Sequence, residues 1–301
     1  MTARRKLVYL GIIVTLFIGM LIWYGLAIIH EPRSASSTFD ADRAYEDVKT
    51  QVAFGPRIPG TAAHAKTVEW IKQQLESAGW SVEIQQSEAM GHPIQNIRAF
   101  RGDAAPDIIL GAHYDTRIYA SRDPDPAKQT EPVPGAEDGA SGVAVLLELA
   151  RTLPSDGPST WLVFFDAEDN GEIPGWDWLL GSRAFVSNLN ARPKAMVLLD
   201  MVGDENLSIP METLSDPTLR ESIWKTAADL GYGSIFLPRT NYSIEDDHVP
   251  FLDAGIPAVD IIDIDYPYWH TTSDLPEHVS PNSLETVGNV VLAWLKTQQD
   301  K

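Results

Sequence analysis

The chain has 301 residues, no cysteine and a formal charge of −19. Without cysteine there can be no disulfide, no thiolate metal site and no thiol nucleophile. A surface this acidic repels phosphate backbones, so no nucleic-acid partner is expected.

Residues 1–6 contain Arg4, Arg5 and Lys6, and Leu7–Ile29 then carries no charge. A helix of that length crosses a hydrocarbon layer of ~30 Å. Trp23 and Tyr24 stand toward its far end, where an aromatic belt sits, and the basic flank holds the N-terminus in the cytoplasm. The sequence thus predicts a cytoplasmic tail over 1–6, a single transmembrane helix over 7–29, a polar tether over 30–44 and an extracytoplasmic catalytic domain over 45–301. A cleavable signal peptide is the competing reading, with Ser34-Ala35-Ser36 as its cleavage site. Its apolar core is ordinarily about 7–15 residues, shorter than this run.

Beyond the tether, Val68, Ile71 and Leu75 share one face of a helix predicted over 62–78, which Gly79 ends. Strands follow at Ser81–Gln85, Asn96–Phe100 and Asp107–Leu110. The Pro-, Asp- and Gly-rich segment 119–135 reads as a surface loop, and Ser141–Leu153 as a helix. Trp161–Phe165 and Ala195–Leu199 are short apolar runs typical of buried parallel strands. Helices at 216–230 and 282–298 and a strand near Ala258–Ile262 complete the pattern. Alternation of strands and helices predicts a single α/β domain with a mixed, mostly parallel central sheet flanked by helices.

The residues suited to chemistry mostly follow these apolar runs. They are His113-Tyr-Asp115, Asp138-Gly-Ala-Ser-Gly142, Glu168-Asp169, Asp200 and Trp269-His270-Thr271. Strand ends in such a sheet converge on one crevice, so distant residues can meet there. Histidines with carboxylates are a ligand set zinc accepts, and a spare carboxylate can move protons. Each motif has a plainer role as well. His-x-Asp is a common structural pair, Asp138 can cap the following helix, and adjacent acids usually lie in solvated loops. Glu168 and Asp169, directly after a buried strand, fit that last role poorly. On an extended segment their side chains would diverge, one toward a metal and one toward a substrate as general base. A carboxylate closing the strand at Asp200 needs compensation. Glu245-Asp246-Asp247-His248 places three acids before an apolar stretch. His30, His64, His92 and His278 are assigned to surface or structure.

Taken together and in this order, the motifs resemble the M28 zinc peptidase family over roughly residues 45–298. In the family's aminopeptidases two zinc ions share a bridging aspartate. The resemblance would place one ion on His113, Asp138 and Asp200 and the other on Asp138, Asp169 and His270, with Glu168 as general base. Within the family, the glutaminyl-peptide cyclotransferase branch is more similar in three places. Glu245-Asp246-Asp247-His248-Val-Pro-Phe251 resembles its Asp-Asp-His-x-Pro-Phe, where peptidases usually show Ser-Asp-His. Trp269-His270-Thr271 matches its Trp-His-Thr, and Asp177-Trp-Leu-Leu-Gly181-Ser182-Arg183 its Asp-x-Leu-x-Gly-Ser-Arg. Asp169 departs from the branch's usual glutamate, and Gly139-Ala140-Ser141-Gly142 looks more like the peptidases.

The resemblance implies one zinc on Asp138, Asp169 and His270 and catalytic carboxylates at Glu168, Asp200 and Asp246. Trp269 would be the substrate wall, and peptide or protein N-termini the substrates. A two-zinc aminopeptidase is the alternative. A tethered binding protein that has lost turnover would have no need of Glu168.

Overall fold

The computed structural model describes residues 39–298. The tail and membrane helix expected over 1–29, and residues 30–38 of the tether, lie outside them. Among the described residues no helix is long and apolar enough to cross a membrane. The tether expected over 30–44 is cut short, because helix α1 (Ala41–Ala53) begins inside it. Asp40 caps α1 by accepting from the Arg43 amide. The buried Glu148 carboxylate receives the Asp40 amide at 3.0 Å and both prongs of the Arg43 guanidinium at 2.6 and 2.7 Å. A cap and a bidentate charge pair stabilise that first turn. Its buried positions, Ala44, Asp47, Val48 and Gln51, are too polar to show a helical stripe in the sequence.

The chain continues through α2 (Ala62–Ser77), β1 (Ser81–Ala89), β2 (His92–Phe100), β3 (Ile108–His113), α3 (Ala140–Thr152), β4 (Thr160–Phe165) and α4 (Leu180–Ser187). Then come β5 (Ala195–Asp200), β6 (Ile209–Glu212), α5 (Pro217–Asp229), β7 (Phe236–Tyr242), α6 (Val249–Asp253), β8 (Ala258–Ile262) and α7 (Pro281–Lys296). One six-stranded sheet runs in the order β1-β2-β4-β3-β5-β8. β4, β3, β5 and β8 are parallel, while β2 pairs antiparallel with both β1 and β4. The β1–β2 hairpin is longer than its sequence suggests. Its strands meet at Met90-Gly91, where both φ values are positive (53° and 84°), the requirement of a tight type I′ turn.

Alternation along the parallel strands builds two apolar layers. Ile108, Leu110 and Ala112 of β3, Leu162 and Phe164 of β4, and Val197 and Leu199 of β5 point into the larger layer, under α1, α2, α3, α5 and α7. Ile109, Val163, Phe165, Met196 and Leu198 point the other way, against Phe185 of α4 and Phe251 of α6. Both faces are covered, so these strands read as continuous apolar runs and their carboxyl ends are left free to carry polar groups.

Helix α3 lies so close to the sheet that a Cβ on Gly142 would run into the carbonyl of Leu199 and stand 3.1 Å from Ala112 Cβ. Neither neighbour can yield without moving a strand. Gly142→Ala should therefore cost about 1–3 kcal/mol as an overpacking change. Thermal unfolding of the purified domain would register this as a melting point lower by roughly 2–4 °C per kcal/mol.

Candidate active site

His113 is the last residue of β3 and Asp200 the last of β5, while Glu168 and Asp169 follow β4 by three and four positions. Asp138 stands two residues before α3, and His270 lies in the loop after β8. All are at least nine-tenths buried and meet at the carboxyl edge of the parallel strands. His113 Nε2 lies 3.0 Å from Asp138 Oδ1 and 3.1 Å from Asp200 Oδ1. His270 Nε2 lies 2.8 Å from Asp169 Oδ1 and 3.5 Å from Asp138 Oδ2. Two groups therefore have ligand atoms within 4.8 Å of one another: His113, Asp138 and Asp200, and Asp138, Asp169 and His270. Asp138 belongs to both. Its Oδ2 and the Oδ2 of Asp169 are buried without a hydrogen bond, the arrangement expected of carboxylates whose missing partner is a cation. Asp138 does not spend its carboxylate on capping α3, whose N-cap is Gly139 with no side-chain cap bond.

The backbone is bent to make this fit. Ala167, Met201 and His270 adopt φ of 52°, 44° and 56°, rare for residues with a side chain and concentrated here beside the functional groups. Gly139, at φ 92°, allows the Asp115 carbonyl and the His113 ring to approach where a Cβ would lie 2.8 and 3.1 Å from them. The extended geometry expected of Glu168-Asp169 is not what the chain adopts, because β4 ends at Phe165. Beyond it the Asp115 carboxylate accepts from the amides of Glu168 (3.0 Å) and Asp169 (3.4 Å) and from Asn170 Nδ2 (3.3 Å). Both acidic side chains consequently line the same cleft. Asp115 also stands 3.5 Å from His113 Nδ1, so one carboxylate holds the acidic turn and faces the imidazole.

The cleft has a volume of about 340 Å³ and brings Glu168 and Asp200 together with Asp246, Trp178 and Trp269. Burial drives the Glu168 carboxyl well above its ordinary value; His113 opposes this, while Asp169, Asp246 and Asp247 reinforce it. Burial, and then the charge of Asp200, push Asp246 up to about 7. Asp138 goes the other way. Burial alone would raise it, but the His113 hydrogen bond and charge, with His270 and Arg57, bring it below the usual carboxylate range. The pocket therefore holds carboxyls of different proton affinity side by side, the condition for dividing ligand and proton-transfer roles.

The model of peptidase family M28 matches residues 96–295, which includes both ligand groups and the cleft residues Glu168, Trp178, Asp246 and Trp269. The chain belongs to peptidase family M28. A solved glutaminyl cyclase from Porphyromonas gingivalis is similar at 39% identity, covering 87% of this chain and 100% of that one, with a TM-score of 0.82. A Zn-dependent exopeptidase from Parabacteroides distasonis is similar at 34% identity, covering 89% and 100%, also with a TM-score of 0.82. A glutaminyl-peptide cyclotransferase from Boiga irregularis is 27% identical over 292 residues, covering 79% of this chain and 76% of its own.

Two supports of this M28 site, Arg57 and Asp274, leave no signal in the sequence. Arg57, fully buried, donates to the carbonyls of Tyr114, Pro134 and Gly135 at 3.0, 2.8 and 2.6 Å and so fixes the loop leading into Asp138. Asp274 accepts the amides of Glu137 and Asp138 at 2.8 and 3.1 Å. Trp178 stacks parallel to the His270 ring, 6.2 Å away, and fits only because Gly171 beneath it has no Cβ. Its signal is visible in retrospect as a tryptophan in a glycine-rich turn ten residues after Glu168. Of the histidines assigned to surface or structure, His64 bonds Asp166 at 2.8 Å, and His92 and His278 stack on Trp176 and Tyr268. His30 lies outside the described residues.

Asp115→Asn turns an amide N–H group toward donors that now meet an acceptor. Leaving buried donors unpaired costs about 1–3 kcal/mol, so the variant should unfold at lower temperature. It should also bind added divalent metal more weakly than the parent in calorimetric titration, since Asp169 sits on the turn that Asp115 holds.

Proposed function

We propose that the protein is a zinc-dependent glutaminyl-peptide cyclotransferase, closing the N-terminal glutamine of a peptide or protein to pyroglutamate with release of ammonia. The observation that carries this reading is Asp246. It is a buried acid that lines the cleft with Glu168 and Trp269, and its proton affinity is tied to Asp200. A hydrolase working on metal-bound water has no need of a further carboxylate there, whereas a reaction whose nucleophile is the substrate's own amine gains from acids that hold that amine. The glutaminyl cyclases among the relatives, one of them covered over its full length, support the same reading.

Asp138, Asp169 and His270 would hold the zinc ion, which when bound supplies a Lewis acid for the γ-amide carbonyl. Glu168 takes the proton that the α-amine loses as its nitrogen forms a bond to the carbonyl carbon of the side-chain amide, Cδ. It then returns a proton to the amide nitrogen as the old carbon–nitrogen bond breaks and ammonia departs. Its raised proton affinity suits both halves of that exchange. Asp200 and Asp246 hold the amine, and Trp178 and Trp269 enclose the glutamine side chain and exclude water. The second reading is a two-zinc aminopeptidase, favoured by one observation: His113, Asp138 and Asp200 form a second ligand group that shares Asp138 with the first.

Purified protein incubated with Gln- and Leu-peptides separates the two by mass spectrometry, since cyclisation removes ammonia and aminopeptidase action removes the first residue. Glu168→Gln keeps the shape but accepts no proton, so turnover should fall by about 10²–10⁴-fold with zinc retained. Asp246→Ser should abolish most cyclisation while leaving fold and zinc intact. If it leaves activity unchanged, the aminopeptidase reading gains.

Metal content provides an independent measurement. About one tightly held zinc per chain is expected, with two favouring the peptidase. His270→Ala or Asp169→Ala should lower bound zinc sharply, and chelation should abolish activity that added zinc restores. A His270→Ala protein with full zinc and full activity would refute the ligand set.

From the sequence of residues 1–29 we further propose a single-pass membrane anchor with the catalytic domain on the extracytoplasmic side. Its support is the uncharged run after a basic flank. Protease added to intact cells should degrade the domain. Protection in intact cells with digestion after permeabilisation would overturn the orientation.

A further inference from the structure

The cleft does not end at the tryptophan wall. Tyr242, Ile264 and Trp269 also line a second, open cleft of about 530 Å³, whose floor includes Arg122 and Asp265. A peptide whose first residue lies between Glu168 and Trp269 has this shared rim as a way out for its chain. Arg122 is exposed and rests its guanidinium on the Trp269 ring, 4.1 Å from the centroid. Its position is set by the backbone. The Arg122 amide donates to the His270 carbonyl at 3.1 Å, and the next residue, Asp123, accepts from the Thr272 amide and hydroxyl at 2.9 and 2.6 Å.

The charges facing this shelf are unequal in their commitments. Arg117, nearby in sequence, is buried and spent on the carbonyls of Asp169 and Gly171. Asp265 receives the Tyr242 hydroxyl at 2.7 Å. No ion pair involves Arg122 among the described residues. In a chain of formal charge −19, a cation left unpaired at the mouth of the cleft stands out from its surroundings. A guanidinium resting over an aromatic ring keeps N–H groups that can take a carboxylate in two parallel bonds.

We infer that the Trp269–Arg122 shelf is a subsite for the residues following the N-terminal glutamine, and that Arg122 selects a carboxylate side chain at the second or third position. The inference rests on the cyclase reading and names the substrate class of that site. It is tested on the zinc-loaded enzyme with two peptide series, Gln-Xaa-Ala-Phe and Gln-Ala-Xaa-Phe amides, Xaa being Glu, Gln or Lys. Pyroglutamate formation is followed by mass spectrometry and compared as kcat/KM ratios.

In one of the series the parent enzyme should favour Glu over Gln by about fivefold at low salt, the size of one well-placed exposed charge pair. The preference should shrink as ionic strength rises. Arg122→Gln should bring the ratio close to one, and Arg122→Glu should shift the preference toward Lys. Ratios unchanged in both variants overturn the inference, as does a loss of rate shared equally by all peptides, which would make Arg122 a prop for Trp269. If the parent cyclises no glutaminyl peptide at all, the cyclase reading itself fails, an outcome distinct from cyclisation without charge preference.

Discussion

Asp115, Asp138, Glu168, Asp169, Asp200 and Asp246 are all removed from water around one cleft, and most features near the site compensate that charge. Burying a carboxylate without a partner costs several kcal/mol, so each must be hydrogen-bonded, protonated or opposed by a cation. The structure uses all three means. Asp115 is bonded to the turn amides. Burial and neighbouring charge raise the proton affinity of Glu168 and Asp246. Asp138 is held by His113, with His270 and Arg57 contributing. The Oδ2 atoms of Asp138 and Asp169 stay without a hydrogen bond, in a group with His270 where a divalent ion would complete the balance.

That arrangement depends on a scaffold that contributes no chemistry of its own. Parallel strands with both faces covered end together, and their last residues enter the same crevice. The Gly142 contact sets how closely α3 approaches the sheet. Arg57 and Asp274 then hold the loop that carries Asp138 from opposite sides, one by its carbonyls and the other by its amides. Backbone strain at Ala167, Met201 and His270 persists where backbone bonds pin each of them, their carbonyls accepting from the amides of Leu180, Asp263 and Arg122. The same rigidity extends outward through the Asp123–Thr272 clamp to the rim where Arg122 meets Trp269.

The strand runs Trp161–Phe165, Ala195–Leu199 and Ala258–Ile262 were legible because burial on both faces demands continuous apolar residues, and period alone then locates them. Most of the acidic and histidine motifs were legible for the same reason: His113, Glu168-Asp169 and Asp200 stand at or just after the point where such a run stops. Helix α1 was not, because it is held by Glu148 and Arg43 across more than a hundred residues of sequence and has little apolar stripe. Nor was the bend at Glu168-Asp169. Local geometry predicts diverging side chains, and only the distant Asp115 carboxylate turns both into one cleft.

By itself, the sequence determined which residue types end each buried strand, hence the α/β architecture and a family whose motifs require a metal and a base. Those properties follow from local periodicity and residue chemistry, which need no knowledge of distant neighbours. Only the tertiary structure decided which carboxylates converge within reach of one cation and which have their proton affinity raised, and that Arg122 meets Trp269 at the rim. These depend on distances between groups far apart in the chain, and on the water that folding removes from around them.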